Sequence, residues 1–122
     1  MKDSSLVDKT CFRTAFLVIV TDLDIESLGS VISEKLAGGL PFRGLEEHIR
    51  DEIPAIYINN LLGCRLILQG FPGEDGYNLV LEEQSFPHRI FEEEKRSPIT
   101  VDFSGNLYVL LQSIEGISVF LE

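Results

Sequence analysis

The stretch CFRTAFLVIVT, residues 11–21, constrains the fold more than any other. Its second half, Ala15 to Val20, is an unbroken apolar run in which Val18, Ile19 and Val20 are β-branched. Such a run is far short of the roughly 20 residues that cross a bilayer as a helix. No small-residue cleavage site comes after it, so it does not read as a secretory leader either. The remaining reading is a strand buried on both faces near the middle of a sheet.

Beyond this run the apolar period changes. Thr21, Asp22 and Asp24 are candidate N-caps, and Ile25, Leu28, Ile32 and Leu36 recur at spacings of three and four, which predicts a helix closed by Gly38 and Gly39. Leu45, Ile49 and Ile53 form a second stripe at spacings of four, ended by Pro54. The ionisable residues of that segment fall between the stripe positions, with Glu46/Arg50 and His48/Glu52 as i,i+4 pairs on its wet side. AIYINN, CRLILQGF and the run through Tyr77, Leu79 and Leu81 predict three sequential strands in an antiparallel meander, joined by NNLLG and by FPGEDG. The pattern lapses over residues 84–98, QSFPHRIFEEEKRSP, a long loop or a loop with one helical turn. ITVDF then predicts a strand, Ser104 an N-cap, Leu107 to Ile114 a helix ending at Gly116 or alternatively a strand, and ISVFLE a last strand.

This order predicts a single α+β domain over residues 11–122 after a flexible segment 1–10. Its sheet is mainly antiparallel, of about five strands, with two or three helices on one face. A chain of 122 residues, 44% of them hydrophobic, can bury about two-thirds of the surface that its unfolded form exposes and can fold alone.

Charge sets the function classes. Ten Lys and Arg against twenty Asp and Glu give a net charge of −10. The mean field therefore repels nucleic acid and anionic membrane and attracts a basic protein. Cys11 and Cys64 lack metal or disulfide-framework spacing and read as free thiols in a reducing cytoplasm, with one long-range disulfide as the alternative. His48, Glu52 and His88 have the composition of a two-histidine, one-carboxylate metal site, but HxxxE recurs by chance on acidic helices, and no metal or other cofactor is expected. No GxSxG elbow and no phosphate-binding glycine loop occurs, so no catalytic residue is assigned.

The acidic clusters carry more information. Glu46, Glu47, Asp51 and Glu52, then Glu74 and Asp75, then Glu82 and Glu83, then Glu92, Glu93 and Glu94 stand in dense groups, and Phe86 and Phe91 accompany the last of these as Phe71 accompanies the second. An aromatic anchor ringed by carboxylates suits a surface that docks a basic partner. In size and acidity the chain is similar to the general profile of bacterial immunity proteins, which neutralise basic nuclease toxins. That likeness is one of composition and size, and no motif carries it. It implies a non-catalytic, antitoxin-like inhibitor in the cytoplasm. The alternative is an enzyme or small-ligand binder with a site around His48, His88 and Cys64, and a homo-oligomer joined through an apolar edge or helix face is a third reading. For the segment RGLEEHIRDEI, Ile49→Ala is expected to cost about 2 to 5 kcal/mol and Asp51→Ala less than about 0.5 kcal/mol in thermal unfolding. The reverse ranking would turn the charges inward.

Overall fold

The computed structural model describes residues 11–44, 53–83 and 99–121. The segment 1–10, most of the stripe from Leu45 and the loop 84–98 lie outside them. Within the described residues the chain is a mixed α+β domain with six strands and two helices, more strands and fewer helices than the sequence pattern suggests.

Strand β1 (Cys11–Thr21) leads into helix α1 (Ile25–Leu36), and the meander of β2 (Ala55–Leu61), β3 (Cys64–Gly70) and β4 (Gly73–Glu83) comes next. Then come β5 (Ile99–Asp102), helix α2 (Ser104–Leu111) and β6 (Ile117–Leu121). The helical alternative for residues 107–114 is therefore the one realised as far as Leu111. The sheet runs β2-β3-β4-β1 with antiparallel neighbours. The far edge of β1 is divided: Cys11–Thr14 pair with β5 in parallel, and Leu17–Thr21 pair with β6 antiparallel.

β1 is central, but it is fully buried on one face only. Ala15, Leu17, Ile19 and Thr21 point into the core, while Phe16, Val18 and Val20 are half-buried on the other face. Leu28 and Ile32 of α1 and Leu111 of α2 join Leu17, Ile19, Leu66, Leu68 and Leu79 in one cluster, so both helices cover the same side of the sheet. Each such aliphatic side chain contributes about 1.5–3 kcal/mol by leaving water. α1 lies close to β2 because residue 29 has no side chain; a Cβ there would meet Ile56 Cδ1 at 2.8 Å.

The split edge of β1 leaves one gap, and Ser104 fills it. Phe103 N–H donates to the Thr14 carbonyl at 2.7 Å, and the next donor of β1, Phe16 N–H, reaches the Ser104 hydroxyl at 2.9 Å. That hydroxyl donates in turn to Asp102 Oδ1 at 2.6 Å, which also accepts Ser104 N–H. Ser104 is thus not the N-cap expected from sequence; Phe103 occupies the cap position and Asp102 supplies the acceptor. α1, by contrast, starts on Asp24, whose carboxylate accepts Ser27 N–H at 2.7 Å, and stops where Gly38 turns to φ +63°. Ile53, expected to be buried at the end of the second stripe, is half-buried.

The β2–β3 turn is made by Leu62 and Gly63, both at positive φ, after a bulge in which Asn60 also takes positive φ. Leucine in the left-handed region costs about 1–2 kcal/mol, and Leu62 is 85% exposed, so little packing offsets this. Asparagine tolerates that conformation, and Asn-Gly is the favoured pair for such a hairpin. Leu62→Asn is expected to raise stability by about 1 kcal/mol, read as an increased urea midpoint at unchanged slope.

Candidate functional site

The pairing register gathers one end of the sheet. Thr21, the last residue of β1, lies opposite both Gly73 of β4 and Ile117 of β6, and its hydroxyl donates to the Gly116 carbonyl at 2.7 Å. Leu23 N–H bonds back to the same hydroxyl at 3.2 Å. Tyr77, fully buried, donates its phenol to the Leu23 carbonyl at 2.8 Å. These bonds tie the β1–α1 junction to the β3–β4 and α2–β6 turns.

Each of those three segments ends in exposed carboxylates: Asp22, Asp24 and Glu26 at the junction, Glu74 and Asp75 at the hairpin, and Glu115 before β6. Phe71 stands in the same hairpin, 41% exposed. The carboxylates are spread over the end rather than aimed at one point; among the described residues no three His, Cys, Asp or Glu are grouped to hold an ion. Three of them sit at the start of α1, where the partial positive charge of the helix N-terminus favours them. The bond from Ser27 N–H holds the Asp24 carboxyl below its usual value.

At the opposite end the described carboxylates that close β4 are paired. Arg13 grips Glu83 with two nitrogens, Nε to Oε1 at 3.1 Å and Nη2 to Oε2 at 2.6 Å, and its backbone N–H adds a third bond to Oε1. The guanidinium keeps the Glu83 carboxyl below the ordinary glutamate value. Arg65 lies 3.5 Å from Glu82 and donates to Asn59 at 2.8 Å. Cys64 is a free, buried thiol beside Arg13 and Glu83; burial pushes it up, away from the thiolate that nucleophilic catalysis needs.

Of the acidic positions singled out in the sequence, Glu74 and Asp75 belong to the first, exposed end, whereas Glu82 and Glu83 lie at the other end beside arginines rather than in a free acidic patch. Glu46, Glu47, Asp51, Glu52, Glu92, Glu93 and Glu94 lie outside the described residues, as do Phe86, Phe91, His48 and His88. Asp22, Asp24, Glu26 and Glu115 escape sequence reasoning because each looks like an isolated helix-start or turn residue. The only signal is the run of three acids between Thr21 and Ser27.

A cleft of about 600 Å³, which shares Glu26 with the acidic end, opens between α1 and residues 39–44. Glu26, Ser30, Glu34 and Arg43 form polar parts of its wall over Phe42 and Ile56. Among the described residues, no helix is long and apolar enough to cross a membrane.

Tyr77 makes the junction sensitive to alkali. Burial, reinforced by the nearby Asp24 charge, raises its phenol above the ordinary value of 10.0. The folded state therefore holds that proton more tightly than the unfolded chain, and the resulting stability is intact below pH 10.0 and is lost as pH climbs above it. Tyr77→Phe is expected to cost about 1–2 kcal/mol at neutral pH, by leaving the Leu23 carbonyl unpaired, and to flatten the alkaline fall in thermal unfolding profiles. Comparison of the chain with family models, with curated proteins and with solved structures returns no match, so function has to be read from the site itself.

Proposed function

We propose that the chain is a non-catalytic binding protein that docks a basic protein on its acidic end. The reading is carried by one observation: six exposed carboxylates from three separate segments, one of which also carries exposed Phe71, lie at one end of the sheet, while Arg13 and Arg65 are engaged with Glu83 and Glu82 at the far end. Exposed carboxylates steer a cationic surface during encounter, and an exposed aromatic side chain in the same hairpin as two of them gives the contact a desolvated anchor. In its most concrete form this is an immunity or antitoxin-like inhibitor of the bacterial cytoplasm, which lays carboxylates into the cationic site of a nuclease toxin. A second reading, a small-ligand binder, draws on the cleft beside α1, whose volume lies in the range of ordinary ligand sites. It predicts a saturable thermal shift with a small polar compound, abolished by Arg43→Ala.

The test of the first reading is capture on immobilised protein from a native lysate at low ionic strength, elution by salt, and rate measurements with the recovered protein. The recovered partner is expected to be basic. Its on-rate should fall steeply as the Debye length shrinks from about 10 Å at 0.1 M salt to about 3 Å at 1 M. Combining Asp22→Asn, Glu26→Gln, Glu74→Gln and Asp75→Asn should slow association without lowering Tm, and Phe71→Ala should act on the off-rate. Asp24 is left intact because it caps α1. Binding that ignores salt, or a quadruple variant that binds like the parent, would overturn the proposal.

A further inference from the structure

The shape of the cleft beside α1 narrows what it can take. Its α1 wall presents Glu26, Ser30 and Glu34, spaced by four and therefore on one ridge of the helix, about 6 Å from one to the next along the axis. All three are exposed, and no cation of the described residues engages either carboxylate.

The floor is apolar and packed. Gly29 lets Phe42 and Ile56 approach the bare helix: a Cβ there would stand 2.8 Å from Ile56 Cδ1 and 3.5 Å from the Phe42 ring. The facing wall, residues 39–44, is tied at both ends. Gly39 N–H donates to the Ser33 carbonyl at 3.1 Å and the Ser33 hydroxyl donates to the Leu40 carbonyl, while Arg43 and Tyr57 exchange two backbone bonds of 2.9 Å. Walls formed in advance spare a ligand the cost of ordering them. Arg43 and Tyr57 are cross-strand partners, so their side chains share a face, and it is the face opposite to that of Ile56 and Phe42. The cation at the rim is thus directed away from the floor, and the rest of the lining is acidic, hydroxylic or apolar.

We infer that this trough seats an extended basic segment of the partner, with Lys or Arg at positions i and i+4 against Glu26 and Glu34 and a small polar residue at i+2 against Ser30. The inference rests on the reading that a basic protein docks at the acidic end. It adds the direction of the footprint, from Glu26 along α1 rather than across the sheet end to Glu115. Spacing supports it, because alternate side chains of an extended chain face one way about 6.6 Å apart and drift from the ridge by only about 1 Å over its length. Volume decides against a helix. Spread along a ridge of about 12 Å, the 600 Å³ cleft has a cross-section of about 50 Å², close to the roughly 48 Å² of a strand and well below the roughly 80–110 Å² of a helix.

Titration of the isotope-labelled full chain with two peptides of equal composition and charge tests this, acetyl-Arg-Val-Ser-Val-Arg-amide and its permutation acetyl-Arg-Arg-Val-Ser-Val-amide. The first is expected to bind saturably and to shift the amide signals of Ser30, Gly39 and Phe42. The second is expected to bind about two- to fivefold more weakly, because one exposed ion pair is lost. Glu34→Gln should remove the difference between them. Ser30→Arg, which fills the trough and repels the peptide, should abolish the shifts at an unchanged melting curve; should it fail to fold, Glu34→Gln decides. Equal affinity of the two peptides for the parent chain, a difference that survives Glu34→Gln, or shifts that spare the trough would each overturn the inference. A captured basic partner that weakens with the variants at Asp22, Glu74 and Asp75 but not with Glu34→Gln overturns it as well and leaves the docking reading standing, whereas capture that ignores salt overturns both.

Discussion

Where β5 has ended and β6 has not begun, the Phe16 N–H has no strand to pair with, and it takes the hydroxyl of Ser104. A buried amide without a partner costs about as much as a single mutation can remove, so this one bond lets β1 be satisfied along its whole outer edge by two strands of opposite direction. The rest of the architecture depends on that accommodation. β5 arrives parallel, the chain lifts off at Phe103 into α2, Leu111 enters the core, and β6 returns antiparallel to finish the edge. β4 and the meander occupy the other side. Both helices are thereby confined to one face, and the loop ends at Asp22–Asp24, Glu74–Asp75 and Glu115 are brought to one end.

The two ends of the sheet differ in electrostatics more than in shape. At one, each carboxylate that closes β4 has an arginine within reach, and the Arg13–Glu83 contact is partly buried, so the charges are fixed and mutually cancelled. At the other, the acids are exposed and the helix start of α1 supplies a local positive field. Helix capping accounts for Asp24, and the helix dipole accounts in part for Glu26. Neither accounts for Glu74, Asp75 and Glu115, which arrive from other segments, the first two in the hairpin that carries exposed Phe71.

The elements that could be read from sequence are those whose signal is local. The apolar run of β1, the three-and-four spacing of α1 with its paired glycines, and the Asn- and Gly-marked meander all declare themselves within a dozen residues. What a strand pairs with is not local. Nothing in ITVD announces a parallel partner, and nothing in Ser104 distinguishes a helix cap from a ladder acceptor, because both roles use one hydroxyl oxygen. The turn at Leu62 and Gly63 contradicts local preference for leucine, so NNLLG locates the turn only approximately. The acidic end is invisible for the same reason as the split edge: Asp22 and Glu115 become neighbours only through the register of Thr21 with Ile117. A scan for charge runs finds clusters in sequence, whereas the site is assembled from residues that are isolated in it.

The divided edge of β1 also has a consequence for how the chain reaches its structure. Phe16 and the serine that completes its ladder are 88 residues apart. During synthesis β1 emerges early as an apolar ribbon, and β4 can occupy one of its sides well before β5 and β6 exist to close the other. The entropy of that long closure is spent before the contacts that reward it form, which slows folding and leaves an unpaired apolar strand waiting in the nascent chain. Such a domain is committed to finishing its core after its last elements leave the ribosome, and in the interval it presents the kind of surface that chaperones hold.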